Sequence, residues 1–294
     1  MRLHLVDGTF ELFRAHFSKR PSRTSPDGRD VKATVGVASS LLALLEDGEE
    51  AVTHLAVAFD NPIRSFRNEL FPGYKDETGV PPELLAQFDA VEEAVAALGV
   101  TVWSMEEFEA DDALASAAAR WAPDVEQVRI LTPDKDLGQC LSGTHVVQVD
   151  RMRGKLTDEE ALRARRGVGP DSIPDLLGLV GDTADGIPGI PGFGEKTAAA
   201  LLGRYEHLED IPADGSAWDV PVRGASRLAQ VLAGARQDAL FYRRLATLVT
   251  DVPLAEELDD LRWPGAPGPA FAAWADGIGA RFLLDRPGSG EPPR

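Results

Sequence analysis

Cysteine is almost missing from this chain. Among 294 residues there is one, Cys140. No intrachain disulfide is possible, and zinc-ribbon and iron–sulfur centres fall for want of thiolates. Such poverty fits a reducing compartment. Positive charge is also scarce: 30 Lys and Arg stand against 48 Asp and Glu, a formal net charge of −18. So negative a surface repels nucleic acid and anionic lipid, unless the acids gather around cations and the bases are concentrated elsewhere. Net charge cannot separate these cases, but charge position can. No run reaches about 18 apolar residues, so no membrane-spanning helix is expected. The start, MRLHLVDGTF, places Asp7 before any long apolar core and does not read as a signal peptide. Cytoplasm is the expected compartment. What is present, 44% hydrophobic and 27% charged residues, suits one large globular domain or two modest ones.

Three short apolar runs organise the first half: LHLVD ending at Asp7, HLAVAFD ending at Asp60, and VRILTPD ending at Asp134. Each is apolar on both faces, as a buried parallel strand requires. VTVW at Val100–Trp103 and THVVQVD at Thr144–Asp150 read as further strands. Between them VKATVGVASSLLALLEDG, PPELLAQFDAVEEAVAALGV and DDALASAAARWA have helical patterns. The alternation predicts an α/β fold, a mostly parallel central sheet flanked by helices. Past about residue 160 strand patterns fade, and Gly and Pro punctuate short helices. The expected division is an α/β domain over 1–160, a helical subdomain over 161–260, and a tail over 261–294 with one short helix and a partly disordered end.

The acids are not scattered. Three predicted strands end in Asp7, Asp60 and Asp134, with Asp136 two residues on. Ligands of open parallel sheets bind at such C-terminal strand ends. FEADDALAS adds Glu109, Asp111 and Asp112 at a helix start, where a single carboxylate would suffice as a cap. GDTADG adds Asp182 and Asp185. If all nine face one edge, their mutual repulsion would raise their pKa values. Hard divalent cations resolve this, and an oxygen-only set without His or Cys selects Mg²⁺ or Mn²⁺. Two ions about 4 Å apart are the usual arrangement for phosphodiester hydrolysis. An EF-hand is disfavoured, because no twelve-residue loop has its ligand spacing.

The bases cluster too. Residues 14–32 hold Arg14, Lys19, Arg20, Arg23, Arg29 and Lys32, and residues 223–244 hold Arg223, Arg227, Arg236, Arg243 and Arg244. Arg67 and Lys75 follow Asp60. A phosphate-binding role suits the first group and this pair; a solvated helix face is an equal reading of the second group. GIPGFGEKTAAALL has two tight turns and then a helix start near Glu195. It is no P-loop, since Glu195 separates Gly194 from Lys196. A helix-hairpin-helix turn gripping duplex backbone fits better.

LVDGTFELFR, FDNPIRSFRNELFPGYK, EADDALAS, RILTPDKDLGQ and LVGDTADGIPGIPGFGEKTAAALL, in this order and spacing, resemble the bacterial 5′-nuclease family of flap-endonuclease-like, PIN-like fold, which includes the N-terminal domain of DNA polymerase I. The likeness runs from residue 3 to about 250. It implies a first metal held by Asp7, Asp60, Glu109 and Asp111, and a second by Asp134, Asp136, Asp182 and Asp185, with Asp111 or Asp112 near or between them. Mg²⁺ is the implied ion, with Mn²⁺ able to substitute. The residues implied at the chemistry are Asp7, Arg67, Lys75, Asp111, Asp134 and Asp182. Arg14, Arg20, Arg67 and Lys75 would handle phosphates, and Tyr74 would stack on a base. Gly192, Gly194, Lys196 and Thr197 would form a helix-three-turn-helix element that grips duplex and holds K⁺. The implied activity is metal-dependent hydrolysis of DNA at a 5′ end, a 5′ flap or a branched junction, in a bacterial cytoplasm, by a monomer working beside a separate DNA polymerase, because no polymerase domain follows.

One stretch departs from that family. A helical arch is expected at about 70–98, yet residues 73–98 hold one base, Lys75, and six acids, Asp76, Glu77, Glu83, Asp89, Glu92 and Glu93. Such an arch would attract single strands poorly. Gly186, where relatives often place Asn, is a smaller departure. Two alternatives stay open: a non-catalytic structure-specific DNA-binding protein, and a nuclease acting on RNA or an RNA–DNA hybrid.

Overall fold

The computed structural model describes residues 1–285. The chain forms two compact units that interleave along its length: residues 1–64, 77–132 and those from Thr250 onward make the first, and residues 65–76 and 133–249 the second.

In the first unit, β1 (Arg2–Asp7), β2 (His54–Asp60), β3 (Thr101–Met105) and β4 (Gln127–Leu131) lie parallel in the order β3-β2-β1-β4. β2 is buried along its whole length, as the unbroken apolar run HLAVAF demands. Helices α1 (Gly8–Phe17), α2 (Lys32–Leu45), α4 (Pro82–Leu85), α5 (Phe88–Ala97), α6 (Ala110–Trp121) and α12 (Pro269–Gly277) complete this unit; α3 (Phe66–Leu70) belongs to the other. The chain moves outward from β1 to β2 and β3, then crosses to the other side of β1 as β4. That reversal creates a switch point beside the C-terminal end of β1. Register sets what lies there. Asp7 pairs with Ala58, two residues before Asp60, and Asp60 pairs with Met105, so both acids end their strands at the same edge. Gly8 must be glycine: a Cβ there would lie 2.5 Å from the Phe59 ring and 2.7 Å from the Ala58 carbonyl oxygen.

The stretch expected as an arch is largely committed to packing. Leu84, Phe88, Val91, Ala94, Val95 and Leu98 are buried, a one-sided stripe at helical spacing. Each of the leucines, valines and Phe88 stabilises the unit by about 1.5–3 kcal/mol when taken from water. Gln87 fixes the arrangement from inside: its Oε1 accepts from Ala33 N at 3.0 Å and Thr34 N at 3.1 Å, capping α2, which has no local side-chain cap. An amphipathic pattern reads alike for an arch and for a packed helix. Only the presence of a facing apolar surface decides between them.

The second unit contains α3, the antiparallel pair β5 (Val146–Asp150) and β6 (Lys155–Thr157), and helices α7 (Glu159–Arg166), α8 (Ile173–Val180), α9 (Glu195–Tyr205), α10 (Ala225–Gly234) and α11 (Arg236–Ala246). Its core joins Leu162, Ile173, Leu176, Leu177, Phe193, Leu201, Leu228 and Leu245. A polar lock spans its helices. Asp175 on α8 accepts from Arg243 on α11 at 2.9 Å and pairs with the His207 ring at 3.0 Å, and Arg243 also binds Glu209 at 2.6 Å.

The α9 start at Glu195 was legible, because Gly194 ends a turn and an Ala-rich run follows. Four local details depart from expectation. β4 ends at Leu131, so Asp134 lies on a loop three residues beyond the strand. The run 81–98 is two helices, broken at Ala86–Gln87. α1 and β6 had no clear pattern of their own. The expected tail helix exists as α12, while the end of the tail, 286–294, lies outside the described residues. Among the described residues no helix is long and apolar enough to cross a membrane.

Candidate metal centre

In the first unit, the ends of β1 and β2 and the start of α6 hold five of the nine predicted acids. Asp7 is 7% exposed and N-caps α1: Oδ1 accepts from Phe10 N at 2.8 Å, while Oδ2 accepts from Thr132 Oγ1 at 2.9 Å. Thr132 was missed in the sequence; its one signal is its place just after β4, at the switch point. Asp60 Oδ1 accepts from Ala110 N at 2.7 Å, and Asp60 N donates to Thr9 Oγ1 at 2.8 Å. Thus β2 positions the first turn of α6. There Glu109 and Asp112 form a reciprocal capping box, with Glu109 N donating to Asp112 Oδ2 at 3.0 Å. Asp112 is fully buried, and one of its oxygens is occupied by that cap. Asp111, between them, is only half-buried.

The second unit carries the tightest group. Asp136, Asp182 and Asp185 each present a carboxylate oxygen within 4.8 Å of the other two, the only such trio among the described residues. Asp7, Asp60, Glu109 and Asp111 form no group of that closeness. The loop after α8 explains the pairing of Asp182 with Asp185. Asp182 N donates to Ile187 O at 2.8 Å and Ile187 N to Asp182 O at 2.7 Å, closing a tight turn. Asp182 Oδ1 accepts from Ala184 N at 2.9 Å. Gly186 takes φ +76°, and a Cβ there would sit 2.1 Å from Gly73 O. Glycine at this position lets the Gly73–Lys75 backbone approach, where Lys75 N donates to Asp185 O at 3.1 Å. Asp134 stands outside the trio and accepts from Asp136 N at 2.9 Å, which orients Asp136.

Electrostatics follow from this crowding. Burial pushes the Asp136 carboxyl well above its ordinary range, and Asp134, Asp185 and Asp182 push it further, with Lys135 opposing. Asp136 Oδ1 is buried with no hydrogen-bond partner. Lys75 Nζ lies 3.1 Å from Asp185 and Lys135 Nζ 2.7 Å from Asp182. Burial alone would lower the Lys135 pKa, but its bond to Asp182 and the charges of Asp182, Asp136 and Asp134 carry it above normal. Lys135 too was missed as a site residue, although it sits between two of the acids singled out. Three carboxylates on a buried point, one oxygen unpartnered, all oxygen and no nitrogen or sulfur: this donor set fits a hard cation.

The predicted nucleic-acid contacts divide. Lys196 is exposed at the start of α9, Thr197 is half-buried beside it, and Gly194 is the N-cap. Gly192 takes φ +91°, so the turn before α9 needs glycine there. Lys75 is 27% exposed. Arg14 pairs with Glu11 and donates to Ser40 Oγ at 3.0 Å, and Arg20 donates to Gly36 O at 3.0 Å while staying exposed. Two expectations need correction. Arg67 is 1% exposed and donates to Leu245 O at 2.8 Å and Thr247 O at 2.9 Å, so its guanidinium ties α3 to the end of α11 and does not present itself to a phosphate. Tyr74 is 6% exposed within the apolar core of the second unit and offers no face for a base to stack on. Proximity to Asp60 suggested the role for Arg67 and the family resemblance that for Tyr74, but packing had already used both side chains.

Residues 2–167 match the family model of the 5′-3′ exonuclease N-terminal, resolvase-like domain, and residues 168–267 that of the 5′-3′ exonuclease C-terminal SAM fold. The chain belongs to the 5′-3′ exonuclease family. It is 38% identical over 274 residues to DNA polymerase I of Pseudomonas aeruginosa, covering 90% of this chain and 29% of that protein. With DNA polymerase I of Bacillus caldotenax it shares 34% over 291 residues, 97% of this chain and 32% of the relative. The chain therefore spans about a third of the length of the curated relatives it matches. Among solved structures, phage T5 5′-exonuclease with bound divalent metal ions (zinc) aligns at TM-score 0.64 and 18% identity, covering 97% of this chain and 96% of that one. The phage T5 flap endonuclease in a pseudo-enzyme-product complex with DNA and metal ions aligns at TM-score 0.64 and 19% identity, covering 97% of each chain. The catalytic core of Rad2 in complex with DNA substrate aligns at 0.58 and 14% identity, covering 97% and 91%. These likenesses show the fold: a mostly parallel central sheet flanked by helices, with a helical SAM-like portion.

Proposed function

We propose that this nuclease hydrolyses DNA phosphodiester bonds at 5′ ends, 5′ flaps or branched junctions, with Mg²⁺ as its ion and Mn²⁺ able to replace it. The observation that carries the reading is the trio Asp136, Asp182 and Asp185 with its unpartnered Asp136 Oδ1. Asp134 joins this set by fixing Asp136. Asp7, Asp60, Glu109 and Asp111 are the second set of candidate ligands, and Asp112 holds Glu109 in place through the capping box. Hard divalent ions, when bound, supply a nucleophilic hydroxide at neutral pH and offset charge on a phosphate.

The chain's own residues do the rest. Thr132 and the Phe10 amide hold the Asp7 carboxylate in one orientation, and Ala110 N does the same for Asp60. A pre-oriented carboxylate loses little freedom when it takes up a ligand. Lys75, half-exposed beside Asp185, is the group we assign to the scissile phosphate. Exposed Lys196, with Gly192, Gly194 and Thr197, is assigned to duplex backbone, with K⁺ as the ion of that turn. Along the chain we assign the chemistry to 1–160, duplex binding to 161–260 and no catalytic role to 261–294. A monomer acting beside a separate polymerase completes the reading.

The test is a flap-cleavage assay in Mg²⁺. Asp182→Ala and Asp136→Ala are expected to lower the rate by at least a thousandfold while circular dichroism stays that of the wild type, and EDTA is expected to stop turnover. Wild-type rates in both variants would sink the assignment.

A further inference from the structure

Asp182 has two carboxylate oxygens with different duties. Oδ1 accepts from Ala184 N at 2.9 Å and so belongs to the turn. Oδ2 is held by Lys135 Nζ at 2.7 Å. Asp182 is 5% exposed and locked at its backbone by Ile187, so the oxygen cannot turn away. The lysine can: its side chain is 36% exposed. Asp182 also belongs to the trio whose oxygens converge within 4.8 Å. The oxygen of Asp182 that is free of the loop is thus the one that a cation of the chain itself already engages.

A flexible ammonium and a divalent ion compete for such an oxygen, because each neutralises the same charge and the two repel each other at this range. We propose that Lys135 is the internal counter-cation of Asp182: it steadies the acidic trio without a metal, a divalent ion must displace it from Oδ2, and the displaced ammonium then meets the substrate phosphate. This rests on the trio being a divalent-ion site. It makes Lys135 a determinant of how much Mg²⁺ the enzyme requires, a role separate from that assigned to Lys75 on Asp185. Arginine at 135 would keep the competing charge; glutamine would remove it while keeping length and polarity.

The experiment uses the full chain. Calorimetric titration with MgCl₂ and with MnCl₂ is run on wild type, K135Q, K135R and D182A, together with thermal melting and flap cleavage at saturating Mg²⁺. K135Q is expected to bind the ions about three- to tenfold more tightly, the release of one half-exposed ion pair and one nearby charge. Its cleavage rate at saturation is expected to fall at least tenfold, and K135R to keep the wild-type ion affinity. A merely structural lysine would lower the melting temperature and leave ion affinity unchanged or weaker, and that result overturns the proposal. An unchanged rate at saturation overturns its phosphate-contact half. If wild type binds ions and D182A does not, the trio reading stands whatever K135Q does; if no protein binds ions, both readings fall.

Discussion

A carboxylate 5% exposed, with one oxygen unpartnered and three acidic neighbours, is costly to hold in a folded protein. Asp136 is kept there at neutral pH although burial favours its protonated form. The fold therefore gains most where a cation supplies what the side chain lacks. Ions that bind only the folded state stabilise it by mass action. Adding Mg²⁺ or Mn²⁺ is expected to raise the wild-type melting temperature. Asp136→Asn removes the buried charge, so it should melt a few degrees higher than the metal-free wild type and gain little further from either ion. A variant that melts lower, or responds to Mg²⁺ as the wild type does, would contradict this account of Asp136. At the same scale, Arg67 shows how a charge that looked functional can serve the interior. Its neighbours in sequence announced a phosphate, but the guanidinium is buried and donates to the carbonyls of Leu245 and Thr247.

At the scale of elements, the second unit is held by a junction of α8, α11 and the turn after α9. Asp175 is 2% exposed at its side chain and receives Arg243, the His207 ring and Leu208 N. The bond to Asp175 raises the His207 pKa above its ordinary value, burial opposes this, and the charges of Asp175, Glu209 and Asp210 add to the rise. The sign follows. A raised histidine contributes stability that is complete below its unfolded pKa, about 6.5, and lost as pH climbs through the higher folded value. His207→Ala should therefore lower the melting temperature more at pH 6 than at pH 9. Equal losses at both would mean that the imidazole acts by packing alone. Elements also explain the stretch 81–98. Glu83, Asp89 and Glu93 are exposed, Glu92 is half-buried and accepts from Ser104 Oγ at 2.8 Å, and the apolar stripe with Gln87 is spent on α2 and the sheet.

For the whole molecule, a net charge of −18 opposes DNA at long range. Bases placed near the site must work against this field, and exposed acids near Lys75 add to it. Asp76 is exposed directly after Lys75. Asp76→Lys is expected to tighten binding of 5′-flap DNA several-fold at low salt and to steepen the slope of log affinity against log salt by about one counterion. Titration by fluorescence anisotropy over a range of KCl concentrations measures both. No change in slope would show that this loop does not reach the substrate's phosphates.

Much of this could be read from the residues in order. The apolar runs before Asp7 and Asp60 and the Ala-rich helices follow from local pattern, because burial on both faces of a strand or one face of a helix writes itself into spacing. The nine acids and the Gly-rich turn before α9 were legible because they recur in clusters just past predicted strands, at a helix start and in short Gly-rich turns. Which acids meet was not legible. The closure of Asp182 with Asp185 depends on the paired amides of Asp182 and Ile187, and the solitude of Asp136 Oδ1 on what does not surround it. The burial of Arg67 and Tyr74, the grip of Thr132 on Asp7 and the hold of Lys135 on Asp182 are likewise decided by partners distant in sequence or turned by the loop. A side chain's type states what it can do, but its exposure and its neighbours, which arise only when separate segments pack, settle which of those capacities is used.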